Sequence, residues 1–389
     1  MEPYQNIHSN FSDRKVQDLN GRYITNSHIL PILNRLPNGF SYEIAGHSER
    51  DQPIFAVKAG NGPSKILIWS QMHGNESTST KALFDFIFNI EYLGISSFLE
   101  HCSFFIIPIL NPDGAQDYNR YNANGIDLNR DAQALTQSES LVLREAFNVF
   151  EPDFCFNMHD QRSIYCVGGT KNSASLSFLA PAEDKEHSIS SNREQAMGVI
   201  SKINNVLQLF IPDQISRFDD SFNINCVGDQ FQSLGVPTIL FEAGHSGDYH
   251  REDTRKYMLI ALLSAIKCIS QKKIPKNAVE TYLNIPGNKP LFFDVLIKNV
   301  SVEVDGKTAI TDIGILYEEV LTENQIHFVP KISVIDCLKD YGAHRFIDGE
   351  FEALALSNNK KIELGATISH FLINSGQFAL FINLSLIHI

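Results

Sequence analysis

Residues 65–76 read Lys65-Ile66-Leu67-Ile68-Trp69-Ser70-Gln71-Met72-His73-Gly74-Asn75-Glu76. The apolar run over 65–70 has the length and composition of a buried strand. His73 and Glu76 follow it directly. The carboxyl end of a strand is where open α/β sheets present ligand-bearing residues. Leu83, Phe86, Ile87, Ile90 and Tyr92 then recur at close to helical spacing, which predicts a helix over 76–92. Strand, polar turn and helix in that order make one unit of an α/β fold.

Further units lie on either side. Residues 40–44, 54–58, 104–110, 153–158 and 237–241 read as strands. Helices are expected from Thr136-x-x-Glu139, a capping-box pattern, over 194–209 with Met197, Ile200, Ile203 and Leu207 on one face, and over 252–270. Strands separated by helices imply a largely parallel sheet covered on both faces, a three-layer α/β/α architecture. After Ser270 the texture changes. The stretches 271–276 (QKKIPK) and 284–290 (NIPGNKP) carry linker signals. Short β-rich runs follow at 291–297, 301–304, 313–317, 326–328, 332–335, 351–356 and 378–381. The expected organisation is a catalytic domain over 1–275 and a small all-β domain over 285–389. The apolar end, 384–389, fits an edge strand or a cloning remnant.

The composition excludes several classes. The 389 residues are 43% hydrophobic and 20% charged, ordinary for a globular chain. The formal charge of −13 gives no general attraction to nucleic acid or to anionic membranes. Six cysteines without a CxxC pair read as buried thiols. The first residues lack the basic and apolar regions of a signal peptide, and no apolar run approaches the ~20 residues of a membrane span. A cytoplasmic location is therefore expected.

His73 and Glu76, three apart in the first turn of a helix, turn their side chains to one side. A neutral imidazole and a carboxylate suit zinc. The same pair also fits a plain helix N-terminus, with Glu76 favoured by the dipole. His159 ends the strand of residues 153–158 and offers a third ligand. Three protein ligands with one position left for water make a catalytic rather than a structural zinc site. Asn111-Pro112-Asp113-Gly114 reads as a turn after a strand. Arg120 and Arg130 flank Asp127 and Asn129 in a loop, and arginine forks suit carboxylates and developing oxyanions. Glu242 ends an apolar strand, where a carboxylate beside a metal serves as a general base; it equally fits a glutamate exposed past the strand end.

Taken in order, His73-x-x-Glu76, Asn111-Pro112-Asp113-Gly114, Asp127-Leu128-Asn129-Arg130, His159 and Glu242 resemble the zinc carboxypeptidases of the carboxypeptidase A superfamily. The likeness covers roughly residues 40–270. The pattern R-x-x-x-x-G-x-D-L-N-R from Arg120 to Arg130 is more similar to the cytosolic and bacterial branches than to the digestive enzymes. The resemblance implies a mixed, largely parallel sheet and one Zn²⁺ per chain on His73, Glu76 and His159. It implies that Glu242 moves the proton, that Arg120 stabilises the oxyanion, and that Asn129 and Arg130 clamp a free C-terminal carboxylate. The expected partner is a peptide or acyl-amino-acid substrate with a free carboxylate.

Two departures concern substrate choice. Asn75 stands where digestive members carry arginine, and residues 218–222 hold no tyrosine. Tyr249 is one replacement, His245 and His250 follow Glu242 closely enough to line the pocket, and Val227, Asp229 and Phe231 lie near the side-chain pocket. The alternatives are an N-acyl-amino-acid hydrolase of the succinylglutamate desuccinylase and aspartoacylase type, and a non-catalytic scaffold with the same fold.

Overall fold

The computed structural model describes residues 2–275, 277–304, 307–356, 361–373 and 376–380. Its strands are β1 (Phe40–His47), β2 (Pro53–Ala59), β3 (Ser64–Ser70), β4 (Cys102–Ile107), β5 (Phe154–Asp160), β6 (Cys166–Val167), β7 (Leu176–Leu179), β8 (Ile215–Arg217) and β9 (Thr238–Ala243), then β10 (Asn288–Lys289), β11 (Phe292–Val304), β12 (Lys307–Thr322), β13 (Gln325–Asp336), β14 (Gly342–Asp348), β15 (Leu354–Leu356), β16 (His370–Ile373) and β17 (Gly376–Ala379). Its helices are α1 (Glu2–Arg14), α2 (Asn26–Leu33), α3 (Thr78–Asn89), α4 (Phe98–His101), α5 (Pro112–Asp117), α6 (Ser138–Phe150), α7 (Ser191–Leu207), α8 (Val227–Ser233), α9 (Glu252–Ser270) and α10 (Ala278–Leu283).

Eight strands form one mixed sheet in the order β1-β2-β4-β3-β5-β9-β7-β8. Its centre, β4-β3-β5-β9, is parallel, and the flanking pairs β1–β2, β2–β4 and β7–β9 are antiparallel. Alternation along β3 shows why. Ile66 and Ile68 enter the core under α1, α3, α7 and α9, while Leu67 and Trp69 enter a second core with Leu143 and Ala146 of α6 and Phe231 of α8. A strand buried on both faces needs helices on both faces. This is the three-layer α/β/α arrangement, with α9 at the boundaries expected from the sequence.

Chain order reverses at β3. β4 lies on one side and β5 on the other. The crevice at that reversal is where α/β sheets bind ligands, and His73 and His159 both sit there.

Several local readings change. The helix after His73 begins at Thr78, so His73 and Glu76 lie in the turn before it rather than in its first turn. Gly74 is needed for close approach: a Cβ there would overlap the carbonyl carbon of Gly114 and the nitrogen of Ala115. Residues 112–117 form α5, capped by Asn111, whose Oδ1 accepts from Gly114 N at 2.8 Å, so the Asn-Pro-Asp-Gly stretch is a helix start. Proline in the first helical turn with asparagine at the N-cap explains it. The capping box at Thr136 does not form; Thr136 bonds Asp131 instead, and α6 starts at Ser138. Helices α1 and α2 carry no strong sequence signal and were not expected.

The C-terminal β region is smaller and mostly antiparallel, in sheets β13-β12-β11-β14 and β15-β16-β17. β11 and β14 pair in parallel. Val295, Ile297, Ile313, Ile315, Ile332 and Phe371 form its core. Strands β14 and β16 were not expected, and the runs 301–304 and 291–297 join into one long β11. Residue 381 of the expected run 378–381, and the apolar end 384–389, lie outside the described residues. The expected linker holds structure of its own. Tyr282 of α10 and Ile285 lie in the main core, and β10 pairs with β6.

Among the described residues no helix is long and apolar enough to cross a membrane.

Candidate active site

The turn after β3 and the end of β5 bring three donor groups together. His73 Nδ1 lies 2.8 Å from Glu76 Oε1, His159 Nδ1 lies 2.8 Å from Glu76 Oε2, and the two Nδ1 atoms are 3.2 Å apart. Exposure is 2% for each imidazole and 8% for Glu76. Two buried imidazole nitrogens converging on one carboxylate make a donor set suited to a cation. Glu76 Oε2 also accepts from Asp160 N–H at 3.1 Å, which fixes the carboxylate. The far face of His73 is held too: Nε2 meets Asp127 Oδ1 at 3.0 Å. A carboxylate behind a ligating imidazole fixes its tautomer and aim. The donor chemistry and the supporting bonds therefore fit zinc on His73, Glu76 and His159.

Arg120 is set by the same carboxylate. Its Nε and Nη2 donate to Asp127 Oδ2 at 3.1 and 2.9 Å, and Nη1 reaches to 3.6 Å from Glu76 Oε1. Burial alone would raise the Asp127 carboxyl, but His73 and Arg120 outweigh it and hold it well below its usual range.

Glu242 stands on β9, in register with His159 on β5. It is 7% exposed and its Oε2 has no hydrogen-bond partner among the described residues. Burial, then the Glu76 and Asp160 carboxylates, push its carboxyl well above the ordinary range. A divalent cation beside it opposes that push. Both placements put the carboxylate within the strand end rather than exposed past it.

Asn129 Oδ1 accepts from Val227 N–H at 2.9 Å, which docks the Asn129 turn onto the start of α8. Arg130 Nη1 rests on the Asn129 carbonyl at 2.7 Å and the Cys226 sulfur at 3.1 Å, and makes no ion pair among the described residues. His73, Glu76, Arg120, Asn129, Arg130, His159 and Glu242 all line one cavity of about 550 Å³.

The sequence reading missed several neighbours. Asp127 sits inside the quoted Asp-Leu-Asn-Arg stretch, which was the available signal. Asp160, directly after His159, accepts from Thr78 and Ser79 N–H at the start of α3 and faces Arg22 at 3.6 Å. Tyr165 and Phe218 also line the cavity, in edge contact with each other, and nothing in their local sequence marks them. Asp229 lines the cavity; Val227 and Phe231 instead pack in the second core. Tyr249 and His245 border a second chamber of about 350 Å³. The two spaces share Glu76, Arg120, Asp160, Gln161 and Arg162. The far wall of the second chamber comes from the β region: Asp294, Leu316, Tyr317, Glu319 and Phe328. His250 borders neither space but lines a groove beside Arg22 and Phe328.

A family model described as zinc carboxypeptidase matches residues 27–159. That segment, which carries the His-Glu-His cluster, is similar to the zinc carboxypeptidases over about a third of the chain. It contains every quoted site residue except Glu242. Carboxypeptidase 2 of Trichophyton rubrum is 29% identical over 114 residues, which cover 28% of this chain and 21% of that protein. Carboxypeptidase 2 of Trichophyton tonsurans is 28% identical over 112 residues, with the same coverage. The match thus spans about a fifth of the length of these relatives. Among solved structures, a candidate carboxypeptidase A from Shewanella denitrificans OS-217 has a TM-score of 0.52 at 18% identity, covering 63% of this chain and 69% of that one. Bovine thrombin-activatable fibrinolysis inhibitor, solved with a tick carboxypeptidase inhibitor, has a TM-score of 0.50 at 16% identity, covering 64% and 98%. These two likenesses concern the fold.

Proposed function

We propose that the protein is a zinc-dependent metallocarboxypeptidase that removes C-terminal residues from peptides, with one catalytic Zn²⁺ per chain. The observation that carries this reading is the convergence of His73 Nδ1, Glu76 and His159 Nδ1 within 2.8–3.2 Å, on the wall of the cavity that also holds Glu242. Zinc held there supplies Lewis acidity to water and to the scissile carbonyl.

The chain's own groups do the rest. Glu242, with an unpartnered carboxylate oxygen, takes the proton from the attacking water and delivers it to the leaving amine nitrogen. Arg120 is held through Nε and Nη2, which aims its Nη1 at the His73 and Glu76 donor atoms, where it donates to the developing oxyanion. Asn129 and the unpaired fork of Arg130 receive the substrate's terminal carboxylate. The Arg120–Arg130 pattern supports kinship with the cytosolic and bacterial branches, and a cytoplasmic site of action accords with it. Division into domains at 1–275 and 285–389 is part of the same proposal; limited proteolysis that releases a folded fragment ending near residue 275 supports it.

A second reading, an N-acyl-amino-acid hydrolase, is favoured by one observation: Tyr317, Glu319 and Phe328 of the β region wall the chamber next to the metal ligands. A wall there suits small acyl groups. Mass-spectrometric hydrolysis of peptides with free and amidated C-termini, and of N-acyl amino acids, separates the two, with Glu242→Gln as the blank. Stepwise loss of residues from free-carboxylate peptides supports the carboxypeptidase. Cleavage confined to N-acyl amino acids replaces it with the second reading. A zinc-loaded protein that cleaves neither class is a scaffold.

A further inference from the structure

The β region meets the main domain through a cluster that the proposed chemistry does not use. His245 follows β9, Asp294 lies on β11, and His344 lies on β14. One ligand atom from each lies within 4.8 Å of the other two. Asp294 is 1% exposed and His245 is 3% exposed.

Charge is the first argument. Asp294 accepts from Tyr317 N–H at 2.7 Å, Tyr249 Oη at 3.3 Å and Ser163 Oγ at 3.4 Å. No lysine or arginine among the described residues lies within ion-pair distance of it. A carboxylate this deeply buried is ordinarily paired with a cation or coordinates a metal. Here it faces two imidazoles instead. The neutral ring is the form that binds metals.

Donor bookkeeping is the second. His344 Nε2 lies 2.7 Å from His245 Nδ1, and Gly247 N–H points at the same Nδ1 from 3.0 Å. Hydrogen bonding alone leaves one ring nitrogen facing two donors, while His245 Nε2 is buried with no hydrogen-bond partner among the described residues. The ring nitrogens and the buried carboxylate together make a donor set suited to a cation.

We propose that His245, Asp294 and His344 form a second metal site, structural in kind, that takes a zinc-like divalent ion and ties the β region to the main domain. Two imidazoles and a carboxylate are ligands that zinc accepts. His245 and Asp294 line the second chamber, so the ion has a route in from the catalytic side. The ligands come from the loop after β9 and from strands β11 and β14, distant in sequence, so the ion would cross-link the docked arrangement.

The test counts metal and needs no turnover, so it stands apart from the proposed activity. The full chain is stripped with chelator, loaded with zinc alone, dialysed against metal-free buffer and analysed by elemental mass spectrometry. Two zinc ions per chain are expected for the native chain, and one each for His344→Ala and for His73→Ala. One ion in the native chain that His344→Ala keeps and His73→Ala loses overturns the site. Two ions retained in both His344→Ala and Asp294→Asn also overturn it, since the second ion then sits elsewhere.

Discussion

The Nε2 of His73 lies 3.0 Å from Oδ1 of Asp127, and the other oxygen of that carboxylate takes the fork of Arg120. One aspartate therefore aims both the imidazole proposed as a metal ligand and the guanidinium beside it. Asp127→Asn keeps the shape but removes the charge. Supporting carboxylates of this kind are worth about 10–100-fold in metal affinity. Zinc affinity measured by chelator competition should fall by that order. Unchanged affinity would show that Asp127 serves only the loop.

Glu242→Gln tests the proton carrier. The amide is nearly isosteric and cannot take a proton. Zinc content should be kept, while kcat falls by about 10²–10⁴, the usual contribution of general base catalysis. A variant that loses its zinc instead would place Glu242 among the ligands.

Arg130 rests only on the Asn129 carbonyl and the Cys226 sulfur, so its removal disturbs no ion pair in the described structure. Arg130→Ala should raise KM chiefly for substrates with a free C-terminal carboxylate. An equal loss on amidated peptides would sink the clamp role. Folding stability should change little.

The start of α9 predicts an acid limit to stability. Glu252 bonds Lys81 Nζ at 2.6 Å, Lys15 Nζ at 2.8 Å and Arg255 Nη1 at 3.1 Å. Burial alone would raise its carboxyl, but Lys81 and Arg255 outweigh it and bring it down to about 2. A carboxyl depressed in the folded state stabilises fully above its unfolded value of about 4.5, and that stability is lost as pH falls toward 2. The contribution is on the order of 2 kcal/mol. Urea midpoints for the native chain should fall from pH 5 to pH 3, and Glu252→Gln should start lower and fall less.

Phe231 of α8 stacks on Phe147 at 4.2 Å and meets Trp69 edge-on at 5.5 Å in the second core. Phe231→Ala should cost about 3–5 kcal/mol, read from the unfolding free energy. Metal content should be kept, because Phe231 does not line the cavity that holds the three candidate ligands.

Much of the site is legible in the sequence because its parts are local. His73 and Glu76 share one turn, Asp127 to Arg130 share another, and His159 and Glu242 each end an apolar run. Such runs reveal a buried strand, and a polar residue at its end is conspicuous. The short strands β7 and β8 lack that contrast, and the helix at Pro112 was hidden because an asparagine-proline start reads equally as a turn. Its status rests on the bond from Gly114 N to Asn111 and on the packing of Gly114 against Gly74.

The amino-acid order by itself determined the alternation of strand and helix, the superfamily likeness and the identity of the seven lining residues, because periodicity and short motifs are properties of neighbours along the chain. Only the tertiary structure decided what stands behind and beside them. Asp160 meets Arg22, Glu319 reaches Tyr118, and Asp294 and His344 meet His245 across separations of about a hundred residues or less than fifty. No local pattern encodes those pairs. They exist because burial forces distant polar groups to find partners with one another.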